Sequence, residues 1–146
     1  MKWILLVENN HDLREAVVHL LMRAGYAVAS SPDGASALRL LDEQQTSPPS
    51  LILFDLQMPE VDGWTFRAAQ LENPCISQVP AIAMTGMAKI EPPIDAHVVL
   101  RKPFAVADLM AAVRALVVLG GTPDAAELAR LHACAERCAQ HGAELK

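Results

Sequence analysis

Short, wholly apolar runs alternate along the chain with longer segments whose apolar residues recur at helical spacing. The apolar runs predict strands at residues 3–7, 26–29, 51–54, 80–84 and 98–100. The periodic segments predict helices over residues 12–24, 35–43, 63–71 and 106–119. Strands that are apolar throughout are typical of a parallel sheet covered on both faces. The pattern therefore predicts an α/β fold built on a five-stranded parallel sheet.

Composition narrows the class of protein without naming a function. The chain has 146 residues, of which 52% are hydrophobic and 20% charged, which is enough for a self-sufficient core. A net charge of −5 and the lack of a Lys/Arg cluster argue against binding nucleic acid. No apolar run is long enough to cross a membrane, and three cysteines do not suggest a disulfide framework. We expect a cytoplasmic protein that does not bind membranes.

Distinctive polar residues follow four of the predicted strands. Glu8 and Asn9 follow the first strand, Asp55 the third, Thr85 the fourth and Lys102 the fifth. Each has an ordinary interpretation as a helix cap, a strand end or a loop residue. In a doubly wound sheet of order 2-1-3-4-5, however, the first and third strands are neighbours, and their carboxyl ends border a crevice. Together these residues indicate one site at that edge.

The segments around these residues resemble the receiver domain of two-component response regulators. The resemblance rests on Leu5-Leu6-Val7-Glu8, Asp12-Leu13-Arg14, Leu53-Phe54-Asp55-Leu56-Gln57-Met58-Pro59, Asp62-Gly63, Met84-Thr85-Gly86 and Lys102-Pro103-Phe104. It covers about residues 1–119 and implies a CheY-like, flavodoxin-like fold with sheet order 2-1-3-4-5. Residues 120–146 would form a separate C-terminal helical tail.

The resemblance assigns chemical roles to three of the residues. Asp55 would be the phosphoacceptor, receiving a phosphoryl group from a sensor histidine kinase or a phosphotransfer protein. Lys102 would place an ammonium beside the transferring group, with a cis bond to Pro103, and Thr85 would hydrogen-bond a phosphoryl oxygen. The implied protein is a phosphorylated signalling module with a downstream protein partner.

The resemblance also implies a Mg²⁺ site, which this sequence changes. Its ligands would be Glu8, Asn9, Asp55 and the backbone carbonyl of Gln57. The family normally has two acids where this chain has Glu8-Asn9, so the pocket keeps two carboxylates instead of three. Mg²⁺ is a hard cation that prefers carboxylates, and we therefore expect weakened Mg²⁺ binding. Asn10 is predicted to cap the first helix.

Two further departures affect the surface that reports phosphorylation in the family. The segment between Thr85 and Lys102 is short and contains Pro92-Pro93, which disfavours a helix because proline in a helix interior costs about 3 kcal/mol or more. The helix that the family places there is expected to be short or missing. Val99 stands where an aromatic residue commonly moves with the threonine, so the usual switch cannot operate in its usual form.

Two kinds of function remain open at this point. The first is the phosphoaccepting receiver, and the alternative is a pseudo-receiver that binds proteins independently of phosphorylation. An Asp-nucleophile phosphatase is disfavoured because position 57 is Gln where a second acid would be needed. A flavin-binding loop is disfavoured by the acids after the first strand. We therefore expect that the protein is not an enzyme.

The tail adds a helix prediction and one weak metal motif. Thr122-Pro123 is typical of a helix start, and the helix would serve packing or homodimer formation. His132, Cys134, Cys138 and His141 are spaced along this one helix. A zinc site usually draws its ligands from two elements, so the packing interpretation is favoured over zinc.

Overall fold

The computed structural model describes residues 3–44 and 47–118. In chain order, the elements are β1 (Trp3–Val7), α1 (His11–Arg23), β2 (Ala27–Ser31), α2 (Gly34–Glu43), β3 (Leu51–Asp55), α3 (Gly63–Glu72), β4 (Ala81–Thr85), β5 (Val98–Arg101) and α4 (Val106–Val118). Every strand and helix predicted within these residues is present, with ends shifted by at most two residues. The predicted tail helix, its zinc motif and its dimer role lie outside the described residues.

The five strands form one parallel sheet in the order β2-β1-β3-β4-β5, as predicted. Strand β1 pairs with both β2 and β3, and Val7 lies opposite Phe54. Because both strands run in the same direction, Glu8 and Asp55 emerge side by side just beyond that pair. The register thus brings the first and third strand ends together at the carboxyl edge.

Two apolar layers cover the faces of the sheet. Alternate residues of β1 point to opposite faces, so that Ile4 and Leu6 enter one layer while Leu5 and Val7 enter the other. The first layer packs against α1 and α4, with contributions from Val17, Leu21, Leu109, Val113 and Leu116. The second packs against α2 and α3, with contributions from Ala37, Leu41 and Phe66. Burial on both faces explains why the strands are apolar throughout.

Acceptor side chains fix the starts of three helices. Asn10 accepts a hydrogen bond from the backbone N–H of Leu13 at 3.0 Å and caps α1, as predicted. Asp33 caps α2, and Asp62 caps α3. The aspartate of the Asp62-Gly63 motif therefore shapes the backbone below the site.

No helix forms between β4 and β5. Residues 86–97, called the β4–β5 segment below, cross this gap as irregular backbone, in agreement with the prediction of a short or missing helix. Helix α3 holds the segment in place: the Trp64 indole N–H donates to the carbonyl of Pro92 at 2.8 Å, and Arg67 Nε donates to that of Asp95 at 2.6 Å. The Glu91–Pro92 bond is cis.

In the described part of the chain, no helix is long and apolar enough to span a membrane.

Candidate functional site

Asp55 ends strand β3 and has a side chain that is almost completely buried, with 4% of the residue exposed. Its Oδ1 accepts a hydrogen bond from the backbone N–H of Gln57 at 3.1 Å. Behind it, the N–H of Gly63 donates to the carbonyl of Leu56 at 2.9 Å. A Cβ at position 63 would lie 2.6 Å from Leu56 Cα and 2.8 Å from the Asp55 carbonyl oxygen. Only glycine lets α3 begin this close to the aspartate.

Lys102 connects the two buried carboxylates at this edge. Its Nζ lies 2.8 Å from Glu8 Oε2 and 3.0 Å from Asp55 Oδ2. The backbone N–H of Lys102 donates to the carbonyl of Thr85 at 2.7 Å, which fixes the lysine at the end of the sheet. The Lys102–Pro103 bond is cis. The structure thus brings together Glu8, Asp55 and Lys102, which the sequence predicted to share a site.

Burial and charge act in opposite directions on these groups. Burial raises the pKa of Glu8, assisted by the nearby charge of Asp55 and opposed by the hydrogen bond from Lys102. Burial alone would lower the pKa of Lys102, but hydrogen bonds to Glu8 and Asp55 and their negative charges outweigh it and raise that pKa. Lys102 therefore stays a full ammonium at neutral pH.

Asn9 turns its amide nitrogen, not its oxygen, toward the carboxylates. In the orientation that satisfies its neighbours, Nδ2 donates to Asp55 Oδ2 at 3.2 Å and to Glu8 Oε1 at 3.3 Å. Glu8 Oε1 also accepts the N–H of Asn10 at 3.1 Å. Together with Lys102 and Gln57, these donors give each carboxylate oxygen of Glu8 and Asp55 at least one N–H partner.

The donor set fits a divalent metal only in part. The carboxylates of Glu8 and Asp55 and the backbone carbonyl of Gln57 are the hard oxygen ligands that Mg²⁺ prefers. The acceptor oxygens of both carboxylates require the nitrogen of Asn9 to face them, so in this orientation Asn9 offers no oxygen to a metal. Among residues 3–44 and 47–118, no group of three His, Cys, Asp or Glu side chains is placed to hold a metal. The residues therefore offer a reduced ligand set.

Thr85 ends strand β4 and is completely buried. Its Oγ1 accepts a hydrogen bond from the backbone N–H of Met87 at 3.0 Å. A hydroxyl that accepts through one lone pair keeps its own hydrogen for another acceptor. The predicted role of Thr85 as a donor to a phosphoryl oxygen remains compatible with this contact.

Two arginines near the site were missed as functional residues in the sequence. Arg14 Nη1 donates to the carbonyl of Glu8 at 2.8 Å and so holds the turn that follows β1. Arg101 Nη1 donates to the carbonyls of Met87 at 2.7 Å and Ala88 at 3.2 Å. Both contacts end on backbone oxygens, which leave no trace in the pattern of side-chain types.

Val99 lies on β5, half-buried, and packs against the apolar layer under α2 and α3. It pairs with Ala83 in the sheet register. The side chain has no polar atom to follow Thr85, in keeping with the altered switch expected from the sequence.

A family model described as the response regulator receiver domain matches residues 4–114 of the chain. The response regulator receiver protein CpdR of Brucella abortus is 36% identical over 126 residues, covering 81% of this chain and 98% of that protein. The DNA-binding dual master transcriptional regulator RpaA of Synechocystis is 31% identical over 122 residues. There the match covers 80% of this chain but only 49% of the relative.

Solved structures show the same fold. The chemotaxis response regulator CheY4 of Vibrio cholerae superposes with a TM-score of 0.70 at 26% identity, covering 80% of this chain and 98% of that one. The signal receiver domain of a histidine kinase from Syntrophus aciditrophicus gives a TM-score of 0.71 at 26% identity. It is matched over 81% of this chain and 91% of its own length. With its sheet order, its Asp–Lys site and these relatives, the chain belongs to the CheY-like receiver domains of two-component response regulators.

Proposed function

We propose that the chain is a phosphoaccepting receiver that takes a phosphoryl group on Asp55 from a histidine kinase or a phosphotransfer protein. The observation that carries the proposal is the 3.0 Å contact between Lys102 Nζ and Asp55 Oδ2 at the carboxyl edge of the sheet. The contact supports Asp55 as the nucleophile, because the Lys102 ammonium lies where it can stabilise the negative charge of the phosphorylated aspartate. The protein passes the signal to a downstream protein partner and is not an enzyme that turns over a substrate.

The transfer has a simple balance of bonds. An Asp55 carboxylate oxygen forms a bond to phosphorus as the bond from phosphorus to the donor's histidine nitrogen breaks, and the imidazole leaves. The transferring group carries negative charge on its oxygens, which fixed positive groups stabilise. Lys102 has three N–H groups, and Glu8 and Asp55 engage two of them. The third is available for a phosphoryl oxygen.

Weak binding of Mg²⁺ is part of the proposal. When bound, Mg²⁺ neutralises charge on the phosphoryl oxygens. Glu8, Asp55 and the Gln57 carbonyl would hold it. The donor orientation of Asn9 supports reduced affinity, because the ion has to compete with the amide for the same carboxylate oxygens. Asn9 and Lys102 also lower the repulsion around Asp55, which reduces the need for a metal.

A pseudo-receiver is the second candidate, and two observations favour it. The amide nitrogen of Asn9 donates to both carboxylates, and α3 holds the β4–β5 segment in place through Trp64 and Arg67. A module of this kind would bind its partner in one fixed conformation, whether or not Asp55 is modified.

Intact mass spectrometry after incubation with acetyl phosphate separates the two candidates. The wild-type protein should gain one phosphate, with Mg²⁺ increasing the yield, and Asp55→Asn should gain none. Asp42→Asn is the matched control, because Asp42 is exposed near the end of α2, away from the site, and should leave labelling intact. The absence of an adduct at high Mg²⁺ would overturn the phosphoacceptor and leave the pseudo-receiver.

A further inference from the structure

If phosphorylation of Asp55 is to change the conformation of the protein surface, Thr85 must be physically connected to the β4–β5 segment. The half-buried side chain of Val99 cannot make it through a polar contact, and no helix follows β4. The connection must therefore come from residues that touch both Thr85's neighbours and the segment.

Arg101 meets that requirement. It lies directly beside Thr85 in the sheet, since the two residues are register partners of β4 and β5. Its Nη1 donates to the carbonyls of Met87 and Ala88. The N–H of the same Met87 donates to Thr85 Oγ1. One residue of the segment thus bonds the threonine through its N–H and the arginine through its carbonyl.

The charge of the arginine makes this contact strong. A guanidinium stays protonated at any ordinary pH, and hydrogen bonds from a charged donor exceed those between neutral groups. Two neighbouring carbonyls on one nitrogen restrain the backbone at the start of the segment. The Met87 N–H is held against Thr85, and the hydroxyl hydrogen is left free to face the pocket.

The far part of the segment is bonded to α3. Trp64 donates to the carbonyl of Pro92 and Arg67 to that of Asp95. Arg67 is itself buried, and its Nη1 bonds Gln70. The segment is therefore a strap fixed at one end by Arg101 and at the other by Trp64 and Arg67. A displacement at Thr85 enters this strap at Met87, the same residue whose carbonyl Arg101 holds.

We propose that Arg101 is the positioning residue that couples Thr85 to the β4–β5 segment, in the role that an aromatic residue on β5 would otherwise fill. This rests on the proposed phosphorylation of Asp55. Arg101 contacts neither the phosphoryl group nor the nucleophile. It acts by holding Met87 and Ala88, so that a change in the hydrogen bonding of Thr85 moves the strap as one unit.

Two tryptophan indoles make the proposal measurable by NMR. The Trp64 indole N–H reports on the strap, whereas the Trp3 indole N–H bonds the carbonyl of Ser47 at 3.0 Å and serves as an internal reference. Acetyl phosphate should shift the Trp64 indole resonance in the wild type and leave that of Trp3 in place. In Arg101→Met the Trp64 shift should be lost, although mass spectrometry still detects phosphate on Asp55.

Hydrogen exchange of the Met87 amide supplies a readout that needs no phosphorylation. In Arg101→Met this amide should exchange about tenfold faster, because its carbonyl has lost a charged donor. Arg39→Met is the matched control: Arg39 is exposed on α2, where its Nη2 donates to Ser36 Oγ at 3.1 Å. That control should change neither the exchange nor the Trp64 shift.

The outcomes distinguish this proposal from the proposed function. An unchanged exchange rate of the Met87 amide in Arg101→Met would show that Arg101 does not hold the strap, whether or not Asp55 accepts phosphate. A Trp64 shift of full size in phosphorylated Arg101→Met would overturn the coupling. A wild type that accepts no phosphate would overturn the proposed function and the coupling with it, while the exchange experiment would still decide whether Arg101 holds the strap.

Discussion

The amide nitrogen of Asn9 lies 3.2 Å from Asp55 Oδ2, so that a neutral donor faces the carboxylate proposed to accept phosphate. In the family an acid at this position binds a metal, whereas Asn9 gives the carboxylate a hydrogen bond. These hydrogen bonds stabilise the pocket without a metal, and we propose that they also weaken Mg²⁺ binding. This relationship can be tested by restoring the charge.

Asn9→Asp should raise the affinity for Mg²⁺ about tenfold or more, since a third carboxylate joins Glu8 and Asp55. Without metal, the same variant should unfold at a lower temperature than the wild type because three carboxylates repel one another. Isothermal titration calorimetry and thermal unfolding in EDTA measure the two effects. Asn73→Asp adds the same charge away from the site, where Asn73 bonds the N–H of Cys75, and should leave the Mg²⁺ affinity unchanged. Equal Mg²⁺ affinities in Asn9→Asp and wild type would contradict the assigned role of Asn9.

Lys102→Met should slow labelling of Asp55 by acetyl phosphate by at least tenfold. The substitution keeps an apolar stem and removes the ammonium that lies between Glu8 and Asp55. The time course of phosphate incorporation, followed by intact mass, measures the rate. Lys89→Met removes an exposed lysine that pairs with Glu91, and its labelling rate should match the wild type. Labelling of Lys102→Met at the wild-type rate would exclude a role for the ammonium.

Gly63→Ala should destabilise the protein by about 1–3 kcal/mol, since the new Cβ would collide with Leu56 and the Asp55 carbonyl. Urea unfolding measures the change in the free energy of unfolding. Gly86→Ala is the control, because a Cβ at Gly86 meets no atom within 4 Å and stability should hold. If both variants unfold at the wild-type urea concentration, the close approach of α3 to β3 is not a constraint.

The cap of α2 should show a dependence on pH. The backbone N–H of Ser36 lowers the pKa of Asp33 below its usual value of 3.8. A depressed pKa contributes stability above 3.8 that is lost as the pH falls through the lower, folded value. Loss of the helix cap in Asp33→Ala should cost about 1 kcal/mol at pH 7. The difference from wild type should narrow below pH 3.8.

Asp33→Asn is the comparison for that experiment. Asparagine caps a helix without titrating, so the difference in the free energy of unfolding between Asp33→Asn and Asp33→Ala should not change with pH. Urea unfolding of the three proteins between pH 7 and pH 3 measures both differences. A constant gap between wild type and Asp33→Ala across this range would contradict the charged cap.

Arg67→Met should loosen the strap and destabilise the fold. It removes the donor to the Asp95 carbonyl and the donor to Gln70 Oε1, and leaving the buried Gln70 acceptor without this partner costs about 1–3 kcal/mol. Urea unfolding measures the loss. Arg23→Met replaces an arginine at the exposed end of α1 and should stay within about 0.5 kcal/mol of wild type. If Arg67→Met were as stable as Arg23→Met, α3 would not hold the segment through Arg67.

The fold and the meeting of Glu8, Asp55 and Lys102 were predictable because both follow from topology. Apolar strands that alternate with helices define the sheet, and the order of a parallel sheet brings fixed strand ends together. The orientation of Asn9 was not predictable, since it depends on which neighbouring atoms donate and which accept. The contacts of Arg67 and Arg101 were missed because a long side chain reaches backbone carbonyls whose positions only the folded chain defines.

The order of the strands also has a kinetic consequence. Glu8 and Lys102 are separated by 94 positions in the chain, whereas Asp55 and Lys102 are separated by 47. Contacts over such separations are slow to form because long loops must close first. If β1 and β3 pair before β5 docks, the two carboxylates face each other with no ammonium between them. Only a chain that has completed its sheet brings all three groups together, so that a partly folded molecule lacks the complete site proposed to accept phosphate.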